Sequence, residues 1–290
     1  CGKLSGYIEA IDIDSKYDLT GKLFENYKRL IHELDKDLLQ RLVVQKTRNN
    51  GYHFIYRCSV IAGNLKLANR PTTDEEKRDT YNQEYKNALL KNPDDTKAKQ
   101  MAEKISKSDK VRVLIETRGE GGYIACFPTD GYKLIHGDFY GIKEISVEQR
   151  DLLHGIARQF NQVFDEVVVP KKDNVQKTNG LSTFDDYNKR GDVVGLLQEH
   201  GWKVVTQKGN KTVFLRPGQT SSQSSGNFDH DKNWFSVFTT STEFEPQHAY
   251  LPYAVFAFLE CNKNFSEASK KLYELGYGDR IEQKAEKEKA

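Results

Sequence analysis

The chain has 290 residues, 37% hydrophobic and 30% charged, with a formal net charge of +2 at pH 7. That length allows one large or two modest domains, and the near-neutral balance excludes a cationic field over the whole surface, leaving nucleic-acid binding to local patches. With no apolar run of about eighteen residues and no leader pattern at the start, no membrane partner and a cytoplasmic location are expected. Cys1, Cys58, Cys126 and Cys261 stand far apart with no C-x-x-C pair, which argues for reduced, buried thiols rather than a disulfide framework or zinc ribbon. The chain begins at Cys1 and Gly2 without an initiator Met, reaches strand-like sequence almost at once, and is expected to be a fragment of a longer protein.

IEAIDID (residues 8–14) reads as a strand. Side chains two apart on a strand face the same way, so Asp12 and Asp14 project from one surface. Residues 19–42 follow as a helix, with Leu23, Phe24, Tyr27, Leu30, Ile31 and Leu34 at helical spacing. A hairpin comes next: residues 42–46 run out, Asn49, Asn50 and Gly51 turn, and residues 52–58 return, with Asn50-Gly51 a strong hairpin signal. On the return strand, within TRNNGYHFIYR (47–57), His53, Ile55 and Arg57 share a face. Residues 70–110 are highly charged, with helical stretches around 75–90 and 96–105, and are expected to form a solvated insertion.

The next strand leads into VLIETRGEGGY (113–123); Val111, Val113, Ile115 and Thr117 make one face and Arg112, Leu114, Glu116 and Arg118 the other. GEGG predicts a tight turn into a further strand, IACFP, ended by Pro128. Ser146 opens a helix with Leu152, Leu153, Ile156, Phe160 and Val163 on one stripe, closing a first domain over residues 1–169. Residues 170–182 read as a linker, 183–280 as a second unit holding both tryptophans, and 281–290 as a charged tail without an apolar face.

Taken singly, each motif has a plain reading. A D-x-D pair caps turns, His53 is a satisfied histidine, Arg57 is a surface ion-pair partner, and the glycines of GEGG need no ligand to explain them. Together they place carboxylates, a histidine and arginines on the strand faces of one sheet, the inventory for holding a metal-bound triphosphate. Asp12, Asp14 and Glu116 are three hard oxygen donors that suit Mg²⁺ or Mn²⁺ bridged by substrate phosphates, and Arg118 sets a cation beside them.

The order D-x-D, Gly-x-His strand, then an acidic residue before R-G-x-G-G-Y resembles the primase-polymerase branch of the archaeo-eukaryotic primase superfamily, of the phage and mobile-element type. The likeness covers about residues 1–165. It implies an α+β fold, an RRM-like palm packed with an α/β module and followed by a smaller α+β domain, and a template-directed polymerase that can start chains. Carried over residue by residue, Asp12, Asp14 and Glu116 match the ligands of two divalent ions, Mg²⁺ or Mn²⁺. His53 matches the histidine that contacts the phosphates of the incoming nucleotide, and Arg118 stands close to that triphosphate, with Arg57 a further candidate. Glu116 stands where the family commonly has Asp, and family members usually have a further segment before the D-x-D strand. The implied partners are a single-stranded DNA template, NTP or dNTP substrates, and a helicase domain or partner.

With FDDYNKRGDVVGLLQEHGWKVV (184–205), KTVFLRPG (211–218), a polar loop, WFSVFTTSTEFEP (234–246) and a helix from Tyr253, the second unit resembles the domain that follows the core in many phage primases. That layout is similar to primase zinc-binding modules, but the cysteine ligands are absent and His200, His230 and His248 lack ligand spacing, so a metal-free version is expected. Residues 217–231 read as a flexible loop, with Lys211, Arg216, Phe228 and Trp234 as candidate contacts to single-stranded DNA through charge and stacking. Two alternatives stand beside a primase-polymerase: a non-catalytic module that binds single-stranded nucleic acid, which leaves the carboxylates unexplained, and a template-independent palm-type nucleotidyl enzyme. A rolling-circle nuclease shares the palm but needs an H-x-H pair, which the chain lacks.

Overall fold

The alternation in IEAIDI becomes β1 (Ile8–Ile13) in a computed structural model that describes residues 1–167, 181–220 and 223–279. The protein is α+β and divides into two units, residues 1–163 and 164 onward. In the first unit β1 is followed by α1 (Leu23–Leu34), β2 (Val43–Lys46), β3 (Tyr52–Arg57), β4 (Lys66–Pro71), α2 (Asp74–Lys91), α3 (Asp95–Ser108), β5 (Val111–Arg118), β6 (Lys133–His136) and α4 (Val147–Arg158). Its strands form one antiparallel sheet in the order β4-β5-β1-β3-β2-β6.

One face of that sheet is apolar because odd positions of β1 and even positions of β3 supply Ile11, Ile13, Phe54 and Tyr56. These pack against Tyr27 and Ile31 of α1 and Leu153 and Ile156 of α4, all fully buried. Each such side chain contributes roughly 1.5–3 kcal/mol by leaving water. The other face is left to Ala10, Asp12, His53, Ile55, Glu116 and Arg118.

Several local expectations are corrected. The helix predicted over 19–42 spans only Leu23–Leu34: Asp18 accepts from Leu23 N–H at its start, and Asp35 beyond its end accepts from the N–H groups of Asp37 and Leu38 in a turn that competes with helix. The segment IACFP is not a strand. It lies against the sheet through Ile124 and Cys126, which pack on Ala10, Val43 and Ile55. In the β2–β3 turn the left-handed residue is Asn50 (φ 62°), while Gly51 is required by proximity, since a Cβ there would lie 2.5 Å from the Ile13 carbonyl oxygen.

The charged insertion is a helical hairpin between β4 and β5. Thr73 and Glu76 form a reciprocal cap on α2, a helix with no buried residue, and buried Arg70 of β4 grips the Glu76 carboxylate with two bonds of 2.6 and 2.7 Å. Within the segment expected to be solvated, α2 buries no residue, whereas Arg70, Thr72 and, on α3, Ala98 and Ala102 are buried.

The second unit contains β7 (Asp165–Glu166), α5 (Thr183–Arg190), α6 (Val193–Glu199), β8 (Lys203–Lys208), β9 (Lys211–Leu215), β10 (Gly226–Asp229), β11 (Trp234–Val237), β12 (His248–Ala249), α7 (Pro252–Glu260) and α8 (Phe265–Glu274). Four antiparallel strands run β11-β10-β9-β8, and Trp202 is ringed by Phe214, Phe235 and Phe244 in a separate core. Residues 164–167, grouped with the core in the sequence reading, pack here, because β7 pairs with β12. The stretch 217–231 is not all loop, since residues 226–229 form β10 inside the sheet. Most of the expected linker, residues 170–180, and the tail at 281–290 lie outside the described residues. Among the described residues, no helix is long and apolar enough to cross a membrane.

Candidate functional site

Strand register decides what meets what on the open face. Asp12 pairs with His53 on β3 and with Glu116 on β5, so three polar side chains predicted from separate motifs are lateral neighbours across three adjacent strands. Asp14 stands one residue beyond β1, two past Asp12.

Arg118 bridges the two strand carboxylates: Nη2 is 2.5 Å from Glu116 Oε1, and Nε is 3.4 Å from Asp12 Oδ2. His53 Nε2 is 3.5 Å from Asp12 Oδ1, and Lys16 Nζ is 3.4 Å from Asp14 Oδ2. Lys66 of β4 lies opposite Glu116 in register.

These contacts split the three acids. Burial pushes the Asp12 carboxyl up, but His53 and Arg118 outweigh it and hold the group below its ordinary value. Burial raises Asp14, offset only in part by Lys16 and reinforced by the Asp12 charge. Glu116 is also raised by burial, with Arg118 opposing and Asp12 adding. Among the described residues, no three His, Cys, Asp or Glu side chains are already grouped as a metal cage. The three groups are carboxylate oxygens, the donor type a hard divalent cation takes, and burial disfavours the charged form of two of them, which Lys16 and Arg118 offset only in part.

Arg57 is not with them. Its register partner is Ile8, it stands four residues along β3 from His53, roughly 13 Å at strand rise, and its guanidinium donates to the carbonyls of Ser5 and Gly6. The GEGG turn is docked on residues 62–64: Gly119 N–H donates to Asn64, Glu120 N–H to the Ala62 carbonyl, and Gly122 N–H to the Gly119 carbonyl. A Cβ on Gly119 would lie 2.0 Å from the Ala62 oxygen, so close packing accounts for that glycine.

Two polar groups near the site were missed in sequence. Gln45, fully buried on β2, pairs with His53 across the hairpin, a placement that counting outward from the turn would have found. On the opposite face of β1, Glu9 is fully buried and accepts from Arg150 Nε and Nη2 (2.6 and 2.9 Å) and from Tyr56 Oη (2.7 Å), with His154 Nε2 3.6 Å away. Burial pushes Glu9 up, but the His154 and Arg150 hydrogen bonds outweigh it and hold it at about 2. Alternation placed Glu9 on the apolar face, the signal that it needs a buried cation.

The candidate contacts in the second unit separate. Phe228 is in the core and packs on His230, so no base can stack on it without unfolding β10. Lys211 pairs with Asp229 (3.5 Å), opposite in register. Arg216 donates to the Pro217 carbonyl (3.4 Å). Trp234 is half-buried against Phe164, with the Lys232 ammonium 4.9 Å from its ring centroid. The histidines are dispersed: His200 bonds Glu260, His230 bonds Thr212, and His248 lies near Glu245.

No family model, curated protein or solved structure matches the chain.

Proposed function

We propose that the chain is a DNA primase-polymerase, a template-directed nucleotidyltransferase that starts and extends primers from NTPs or dNTPs on single-stranded DNA. The observation that carries this reading is the double register of Asp12, opposite His53 on one side and Glu116 on the other, with Arg118 across both carboxylates. The strand order β5-β1-β3-β2, with α1 between β1 and β2, is similar to that of an RRM-like palm and supports the same reading, although the second helix in the core is α4, after β6, rather than one between β3 and β5.

Asp12, Asp14 and Glu116 would hold a pair of divalent ions, Mg²⁺ or Mn²⁺, which when bound supply neutralisation of the triphosphate and a more acidic attacking hydroxyl. Arg118, which balances Asp12 and Glu116 in the free sheet, is the guanidinium available to the phosphates, and His53 is the neighbouring donor. Fixed charges on rigid adjacent strands need little reorganisation, so positioning and electrostatics can carry the reaction without a covalent nucleophile. The test is incorporation of labelled nucleotides with and without single-stranded DNA. Incorporation that needs template and divalent ion, and disappears in Asp12→Ala/Asp14→Ala, is expected. Template-independent incorporation, or full activity in the double variant, overturns the reading.

A further inference from the structure

Gln45 is a fully buried polar side chain that the chemistry above leaves unused. Three hydrogen bonds orient its amide. Nε2 lies 2.8 Å from the Ala125 carbonyl oxygen and 2.8 Å from His53 Nδ1, while Oε1 lies 3.0 Å from the Phe127 backbone nitrogen. A carbonyl can only accept and a backbone N–H can only donate, so the two main-chain groups determine which end of the amide is nitrogen. The reversed amide would set donor against donor at Phe127 and acceptor against acceptor at Ala125. One Nε2 hydrogen then goes to Ala125 and the other to His53, and His53 Nδ1 must accept. In an imidazole whose one nitrogen accepts, the other carries the hydrogen, so the ring hydrogen lies on Nε2. That atom faces Asp12 at 3.5 Å, beyond a well-formed N–H···O distance, which leaves its hydrogen open to a closer acceptor.

We propose that Gln45 is a positioning residue: clamped by Ala125 and Phe127, it fixes His53 in the Nε2–H tautomer and so presents one N–H donor to an anion beside Asp12 and Arg118. The segment after the Glu116 strand thereby sets the polarity of a histidine on a different hairpin. A ring with its hydrogen on Nδ1 instead would turn an acceptor lone pair toward the anion. The inference rests on the proposed function only for the identity of that anion, a nucleoside triphosphate.

The test uses the full chain with ¹⁵N-labelled histidine and no nucleotide, at about pH 8, above the ordinary histidine range. Ring ¹H–¹⁵N correlations report which nitrogen is protonated, and His53→Gln identifies the resonance. In the wild type, Nε2 should be protonated and Nδ1 bare. Gln45→Glu keeps an acceptor for Phe127 N–H but has no hydrogen to give Nδ1, so hydrogen should move to Nδ1. Gln45→Met, of similar length and without hydrogen bonds, should give a mixture of tautomers. A wild-type ring protonated on Nδ1, or one unchanged in Gln45→Glu, overturns the proposal, and the first result needs no variant to fold. Binding of Mg·dATP is measured in parallel, and Gln45→Glu should weaken it by roughly tenfold or more, the scale of one hydrogen bond to a charged group. Ring shifts as expected in a wild type that binds no dATP would uphold the positioning role and sink the triphosphate reading instead.

Discussion

The acids around β1 respond to pH with opposite signs: Asp14 and Glu116 one way, Glu9 and Asp12 the other. Asp14 and Glu116 have raised folded values, so the fold favours their protonated forms. Their contribution is present below the ordinary carboxylate range and is lost as pH rises through the raised values. Asp14→Asn should therefore leave thermal stability at pH 7 unchanged or higher while abolishing incorporation, and a fall in Tm would count against burial disfavouring the Asp14 carboxylate. Glu9 behaves the other way. Its folded value of about 2, against an ordinary 4.5, gives stability above 4.5 that is lost as pH falls toward 2. Glu9→Gln should reduce the pH dependence of unfolding in that window, leaving the part that Glu76, also lowered to about 2, contributes. It should also cost about 3–5 kcal/mol at pH 7, because Arg150 is left buried without its counter-charge. Replacing both partners, as Glu9→Leu with Arg150→Met, should recover much of that loss in denaturant titrations. Period-two alternation made Asp12, His53 and Glu116 legible in sequence, since each needed only the face of its own strand, while Asp14 lies one residue past the end of β1. Arg57 shares the face of His53 but not its end of the strand, and only the antiparallel register shows that separation. Gln45 stayed hidden because its role depends on the backbone of Ala125 and Phe127, about eighty residues away in the chain.

At the scale of elements, strands were readable where one face is buried and the other is not. The segment IACFP misled because its alternating Ile124 and Cys126 do pack on the sheet, yet its polar main-chain groups go to the Gln45 side chain rather than to a neighbouring strand. The end of α1 was equally out of reach, because the apolar spacing continues through Leu38 while Asp35 diverts the backbone. The β2–β3 turn offers a clean separation of two glycine-like demands. Asn50 already tolerates the left-handed region, so Asn50→Gly should change stability by only a few tenths of a kcal/mol. Gly51→Ala forces a Cβ onto the Ile13 carbonyl and should cost about 1–3 kcal/mol. Since Ile13 lies between Asp12 and Asp14, the same substitution should lower incorporation more than its stability cost explains. Equal tolerance of both changes in denaturant unfolding and in activity would mean that the turn does not brace the acids.

For the whole molecule, the two separate cores assign different duties to the two units. The first holds Asp12, Asp14, His53, Glu116 and Arg118, so residues 1–163 should retain nucleotide binding. The second has a core built from aromatic contacts around Trp202, and its dispersed histidines each have a partner of another kind, so its fold should persist in chelator with no zinc in the purified protein. Of its expected template contacts, Phe228 is lost to the core, and Trp234 with Lys232 remains as a partly exposed ring and cation. Such a pair gives stacking and counterion release, and binding that weakens as salt rises. Initiation must hold a template and two free nucleotides at once, whereas extension starts from a duplex that already orders the template. Loss of the second unit should therefore reduce de novo synthesis more than extension of a preformed primer, and Trp234→Ala in the full chain should reproduce the bias in milder form. The measurement is both activities side by side, for residues 1–163, for the full chain and for Trp234→Ala, across a salt series. Equal loss of both activities on truncation, with no change in salt dependence, would remove the second unit from template engagement and leave it a structural role.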